Sequence, residues 1–277
     1  MVRSVLYVPG NRPELFDKAL AGAADVVLLD LEDAVPLGDK DSARAEVSNW
    51  LRTVTAVRPR LWVRVNAGAE TRRDLSAVAL PILDAVCLAK TESAEQVRAA
   101  ATILGAHEAV PGRIRICPLL ESATAILAAR AIAGAPRVAR LQLGEADLCA
   151  DTGIDPGDPA GLLAIRTQVV LASAAAGIDP PIGPASTDFR DLDALAESTK
   201  TLARLGFRGR SCIHPAQVPI VNSVFTPDAA ELARARELLS RFESEKGGIV
   251  LDADGRMVDL AVIRRARRIL ADADADR

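Results

Sequence analysis

Charged side chains follow directly on short apolar runs in this sequence: Glu32, Asp33, Glu121 and Asp147 are acidic, Arg12, Arg64 and Lys90 basic. The densest case is DVVLLDLEDAV, residues 25 to 35, where Val26 to Leu29 run straight into Asp30, Glu32 and Asp33. A short apolar run bounded by polar residues reads as a buried strand, yet Asp and Glu disfavour strands and resist burial. Carboxylates that converge in a partly buried cleft repel one another and take up protons. A hard divalent cation relieves that repulsion, and Mg2+ takes one or two carboxylates together with water and substrate oxygens. Glu121 and Asp147 end successive runs and are the expected metal ligands, with Glu32 and Asp33 orienting metal-bound water without touching the metal. Mn2+ accepts the same oxygen-rich site. Arg64 stands on the face opposite Val63 and Val65, where it either stabilises an oxyanion beside the metal or pairs with a strand-end acid. His214 reads as a hydrogen-bonded loop residue ahead of a catalytic base. With His107 the only other histidine and no CxxC pair, a zinc site is not expected.

Those residues need a scaffold that ends many strands at one place. Candidate strands lie at Val2–Val8, Asp25–Leu31, Leu61–Val65, Ala85–Ala89, Ile114–Leu120, Arg140–Leu143, Pro181–Gly183 and Gly209–Ile213. Helical patterns separate most of them, at Pro13–Ala21, Ser42–Val54, Ser93–Leu104, Ala123–Ala133, Ala160–Ala176 and Leu192–Leu205. Strand–helix alternation means a parallel sheet covered by helices, and this number of repeats is the size of a (β/α)8 TIM barrel, whose chemistry lies at the C-terminal strand ends. An open doubly wound sheet is the alternative, without a GxGxxG turn to support it. The expected catalytic barrel covers residues 1–225. Residues 226–277 form an extension of helix, hairpin and helix, with the hairpin turn at Asp254-Gly255.

Composition excludes several classes. With 3% aromatic residues and a net charge of −3, neither a base-stacking surface nor a basic footprint for nucleic acid is present. No uninterrupted apolar run reaches the roughly 18 residues of a membrane span. Pro9, Asn11 and Arg12 interrupt any signal-peptide core. The scattered Cys87, Cys117, Cys149 and Cys212 read as free thiols of a cytoplasmic protein.

The stretches RSVLYVPGNRPELFDKA, DVVLLDLEDAVPLGDKDSAR, VRVN, LAKTES, PLLESATA, LGEADLCADTG, GFRGRSCIHPAQV and DGRMVD cover nearly the whole chain in order. Together they resemble the HpcH/HpaI aldolase and citrate lyase family, on the side of citrate lyase beta subunits and malyl-CoA lyases. The resemblance implies a (β/α)8 barrel, a Mg2+ ion and a homotrimer, sometimes paired into a hexamer, in which one subunit's tail covers another's active site. It assigns Glu121 and Asp147 as metal ligands, with Glu121 also facing substrate, and Arg64 as the substrate-binding and catalytic arginine. It implies that Asp259 is the acid brought in from the tail; by its position alone Asp259 would equally be a helix cap. Arg12 and Lys40 resemble positions near the CoA phosphates. Where many relatives read Gly-Ala-Glu-Asp, this chain has Gly144-Glu145-Ala146-Asp147, and PASTDFRDLDAL after the seventh strand is less familiar. The implied reaction is metal-dependent cleavage or formation of a 3-hydroxyacyl-CoA such as malyl-CoA or citramalyl-CoA, giving acetyl-CoA and a 2-oxo acid. The alternatives are a pyruvate-type aldolase acting on free hydroxy-oxo acids, a citrate lyase beta subunit served by an acyl carrier protein, and a ligand-binding barrel without catalysis. The joint presence of Arg64, Glu121, Asp147 and Asp259 speaks against the last.

Overall fold

The computed structural model describes residues 1–55, 58–244, 250–251 and 257–274, which group into two compact units, Val2–Asn222 and Ser223 onward with Met1. In the first, eight parallel strands close into a barrel: β1 (Ser4–Pro9), β2 (Val26–Asp30), β3 (Arg60–Val65), β4 (Ala85–Leu88), β5 (Arg115–Leu120), β6 (Gln142–Leu143), β7 (Ile182–Gly183) and β8 (Gly209–Cys212). β8 returns to β1 through Ser4↔Arg210, Val5↔Ser211 and Leu6↔Cys212, so no edge is left to template aggregation. All eight expected strands exist, each within two residues of its expected ends.

Alternation along the strands divides the side chains. Val5, Val26, Leu28, Trp62, Ala85, Cys87, Cys117, Leu119 and Ile182 fill the barrel interior, with Tyr7 packed against them. Their neighbours in sequence, such as Val27, Leu29, Val63, Val86 and Ile116, are fully buried too, on the outward face. Burial on both faces is what a parallel sheet sheathed in helices requires. Arg64 has the parity of Trp62 and Asp30 that of Leu28, so both face inward, at the C-terminal end where side-chain layers give way to the mouth.

The helices depart from expectation at four places. The segment expected as one helix, Ala123–Ala133, is two short ones, Ala123–Leu127 and Ala129–Ala133, separated by Ala128 at φ −88°, ψ 0°. Helices at Thr71–Val78, Glu145–Thr152 and Gln217–Phe225 were not expected. Pro159–Ala176 has the length and apolar composition of a span. Its Arg166 nevertheless makes a double contact with Glu145, at 2.6 and 2.7 Å, and Gln168 donates to the Ile126 carbonyl at 2.7 Å, fixing it to the barrel wall.

In the second unit, helices Ala229–Ser244 and Leu260–Asp274 pack through Leu238, Leu239, Phe242, Val258, Val262 and Ile263. Strands Val250–Leu251 and Met257–Val258 pair antiparallel between them; the expected Asp254-Gly255 turn lies outside the described residues.

Candidate active site at the barrel mouth

Arg64 is the centre of the mouth. The β2–β3 register sets Asp30 directly beside it, and the two side chains form a parallel double hydrogen bond, Nε to Oδ1 and Nη2 to Oδ2, both 2.6 Å. Asp30 is 1% exposed and also accepts the amides of Glu32 (2.9 Å) and Ala34 (3.1 Å), which bends the chain sharply after β2. The remaining guanidinium nitrogen, Nη1, reaches Glu32 at 3.1 Å and Asp33 at 3.7 Å. Beneath it lies the Tyr7 ring, 5.1 Å from the guanidinium carbon, a cation–π contact. Burial opposes the Arg64 charge, but hydrogen bonding and attraction from Asp30, helped by Glu32, outweigh it and raise its pKa above the ordinary value. Of the two readings of Arg64 in the sequence, the structure shows the pairing with a strand-end acid, and it also sets the side chain in the lining of the mouth.

Lys90 closes the other side. Its backbone is left-handed, φ 49°, a conformation that costs a non-glycine residue about 1–3 kcal/mol and that collects at functional sites. The turn aims its amide at Glu121 Oε2, 2.9 Å away, while its ammonium reaches Glu32 at 2.6 Å and Asp33 at 3.4 Å. The hydrogen bond from Lys90 to Glu32 raises the Lys90 pKa. Glu32 and Asp33 titrate as a pair. Burial lifts Glu32 above the usual carboxylate range; burial also acts on Asp33, but the Glu32 hydrogen bond and the Arg64 and Lys90 charges prevail and lower it.

Glu121, 6% exposed, follows β5. Burial pushes its carboxyl up to about 7, the Lys90 amide opposes that, and the negative charges of Glu32 and Asp147 add to the rise. Gly144 after β6 makes the space: a Cβ there would stand 2.6 Å from Glu121 Cγ and 2.9 Å from Oε1. Asp147 sits in the first turn of Glu145–Thr152. Arg64, Asp33, Glu121 and Asp147 line one cavity of about 190 Å³, floored by Tyr7 and Gln142.

The floor is a polar layer. Gln142 Nε2 donates to Tyr7 Oη (2.5 Å) and Ser211 Oγ (2.9 Å), and the Cys87 thiol faces Gln142 Oε1 at 3.8 Å. Burial raises the Tyr7 pKa well above its ordinary value, so the ring stays neutral beside Arg64.

Arg12 and Lys40 are not among the residues lining this cavity. Lys40 donates to the carbonyls of Leu31 (2.8 Å) and Glu32 (2.5 Å), bracing the loop after β2. Arg12 is exposed and pairs with Glu14. Asp259 belongs to the second unit, where Oδ1 accepts the amides of Ala261 (2.8 Å) and Val262 (3.0 Å) as a helix cap. His214 holds its loop, as expected: Nδ1 accepts the Ala216 amide at 3.2 Å and the ring stacks on Phe189 at 4.9 Å. All four cysteines are buried free thiols.

Asp30 was named in the sequence without a role of its own, and Tyr7, Gln142 and Ser211 were not singled out. Inward parity of Asp30 with Leu28 and of Tyr7 with Val5 was the available signal. Their partners depend on register between strands, which spacing along one strand does not contain.

Residues 3–215 match the family HpcH/HpaI aldolase/citrate lyase. The chain is 33% identical to the citrate lyase subunit beta of Leuconostoc mesenteroides subsp. cremoris, over 99% of this chain and 94% of that one. It is 34% identical to an L-malyl-CoA/beta-methylmalyl-CoA lyase of Cereibacter sphaeroides, over 98% and 94%. Among solved structures it is similar to protein CitE from Mycobacterium tuberculosis in complex with magnesium, acetoacetate and coenzyme A, with TM-score 0.80 and 33% identity over 99% and 98% of the two chains.

Proposed function

The chain belongs to the HpcH/HpaI aldolase/citrate lyase family and is a carbon–carbon lyase, and from that premise we propose that it cleaves, or forms, a 3-hydroxyacyl-CoA such as malyl-CoA or citramalyl-CoA. The products are acetyl-CoA and a 2-oxo acid. The observation that carries this reading is Arg64, locked by Asp30 yet lining the same cavity as Glu121 and Asp147.

The cavity fits a Mg2+ ion. Glu121 is a buried carboxyl raised to about 7 by burial and neighbouring acids, which a cation at this point would relieve. Gly144 leaves its carboxylate unobstructed. Glu121 and Asp147 line the same cavity, and two carboxylates are a number that Mg2+ ordinarily takes. Glu121 and Asp147 would be those ligands. When bound, Mg2+ supplies Lewis acidity toward the oxygens of the 2-oxo acid. Gly144→Ala is expected to displace Glu121 and weaken Mg2+ binding by about tenfold or more, read by calorimetric titration.

In the condensing direction Asp259 takes a proton from the acetyl methyl, and the charge that appears on the thioester oxygen faces Arg64. The carbon then adds to the oxo carbon, whose oxygen takes up a proton; cleavage is the reverse. Glu32 and Asp33 fix Nη1 of Arg64 and the Lys90 ammonium, so the site has no need to reorganise as charge develops.

Asp259 reaches a mouth only if a tail covers it, and the tail of a neighbouring subunit in a trimer or hexamer is the arrangement we propose. Asp259→Asn and Arg64→Ala proteins, each inactive alone, should then complement when co-expressed one to one. Hybrid oligomers would recover about a quarter of wild-type activity, because half the barrels and half the tails are intact. No recovery would place tail and mouth in the same chain.

Substrate class is tested by offering malyl-CoA, citramalyl-CoA and free 4-hydroxy-2-oxo acids side by side with saturating Mg2+. Release of acetyl-CoA from a thioester, with the free acids turned over far more slowly, is the expected outcome. Faster cleavage of a free acid would replace this reading with the pyruvate-type aldolase.

A further inference from the structure

The end of the barrel opposite the mouth holds a second polar cavity, of about 170 Å³, lined by four arginines, Arg60, Arg113, Arg115 and Arg140, against two acids, Asp84 and Asp179. Both acids are engaged. Asp179 pairs with Arg140 at 2.9 Å, and Asp84 accepts the Leu61 amide at 3.0 Å. Arg140 is 5% exposed and also donates to the Val2 carbonyl at 3.3 Å, so it is accounted for by the fold. Stabilisation is the usual task of residues at this end of a (β/α)8 barrel.

The other three differ. Arg60, Arg113 and Arg115 are exposed, and among the described residues none forms an ion pair with a carboxylate. Arg113 gives one nitrogen to the Leu83 carbonyl at 3.1 Å and Arg115 one to the Val138 carbonyl at 3.4 Å. Those bonds anchor each guanidinium while leaving most of its donors free. The three guanidinium groups, without a carboxylate partner among the described residues, line the same cavity, and an anion among them would meet several N–H donors at once. Trp62 and Ala85, the lowest interior side chains of β3 and β4, form part of the same lining.

We propose that this cavity is an anion site, separate from the mouth and independent of the reaction proposed above, in which Arg60, Arg113 and Arg115 bind a small phosphate-class polyanion. Guanidinium forks match phosphate oxygens in pairs. The cavity is small, about 170 Å³, and inorganic pyrophosphate is the probe of this class.

Trp62 provides the readout. The chain has two tryptophans, so a Trp50→Phe protein reports on Trp62 alone. Titration with sodium pyrophosphate, at constant ionic strength and without divalent metal, should give a saturable change in its emission, with a matching heat by calorimetry. Arg60→Gln/Arg115→Gln in that background should weaken binding by about tenfold or more. Arg12→Ala, on the mouth side, should leave it unchanged. If the double variant does not fold, Arg113→Gln takes its place with the same expected loss. The assignment is overturned by a response without saturation, by equal binding in the arginine variants, or by loss of binding in Arg12→Ala. Tighter binding of malonate than of pyrophosphate would overturn the phosphate class.

Discussion

Arg64→Ala is expected to lower turnover by roughly 10²–10³-fold, the loss typical of removing a preorganised donor to a developing oxyanion. KM should change far less, because the interaction strengthens as charge appears in the transition state. A second consequence is separable. Asp30 is buried and would keep only the amides of Glu32 and Ala34, leaving its charge without a counter-ion. Breaking a buried pair in this way costs about 3–5 kcal/mol, so the melting temperature should fall with the turnover. Asp30→Asn distinguishes the two effects. It keeps Arg64 and spares the fold an unpaired carboxylate, but loosens the double contact that aims the guanidinium. It should lose turnover with a smaller loss of stability. Arg64→Lys retains the charge without the fork and should fall between alanine and wild type in both readouts. Wild-type turnover in Arg64→Ala would remove this residue from the chemistry and leave it a brace between β2 and β3.

The metal-free protein should lose stability as pH rises from about 4.5 to about 7, because the Glu121 carboxyl is raised to about 7 from 4.5. The native state holds this proton more tightly than the unfolded chain does. Its contribution is therefore complete below the unfolded value and disappears as pH climbs through the folded one. At about 1.4 kcal/mol per pH unit the loss is roughly 3 kcal/mol. Glu32, also raised by burial, acts in the same direction. Asp33 is lowered, so its contribution is present at neutral pH and is lost only in more acidic solution. Saturating Mg2+ should reverse the Glu121 loss, stabilising the protein more at pH 8 than at pH 5, where it must first displace a proton. Glu121→Gln should flatten the dependence and abolish the response to Mg2+. Melting temperatures in EDTA and in Mg2+ across this range check all three expectations.

Where the chain showed its structure in advance, it did so through local pattern. Short runs alternating with helical patterns located every barrel strand, seven of them ending in charged or amide side chains, and the convergence of Arg64, Glu121 and Asp147 followed once those ends shared a mouth. The last two residues of the run read as Arg140–Leu143 do form a strand, while Arg140 turns its side chain to Asp179 instead. Asp30 stood in view within DVVLLDLEDAV, but its pairing with Arg64 is a property of register and appears only when β2 lies beside β3. The break at Ala128 carries neither proline nor glycine, so nothing local announced it. The need for glycine at Gly144 comes from the Glu121 side chain packed against it, a contact between successive strand ends that no local pattern contains.

The most direct measurement is the product balance from malyl-CoA with purified protein, once in Mg2+ and once in EDTA, following glyoxylate, acetyl-CoA, malate and free CoA together. Equal amounts of glyoxylate and acetyl-CoA in Mg2+, with neither in EDTA, is the expected result. Cleavage that persists undiminished in EDTA, or free CoA and malate without glyoxylate, would contradict a metal-dependent lyase at this mouth.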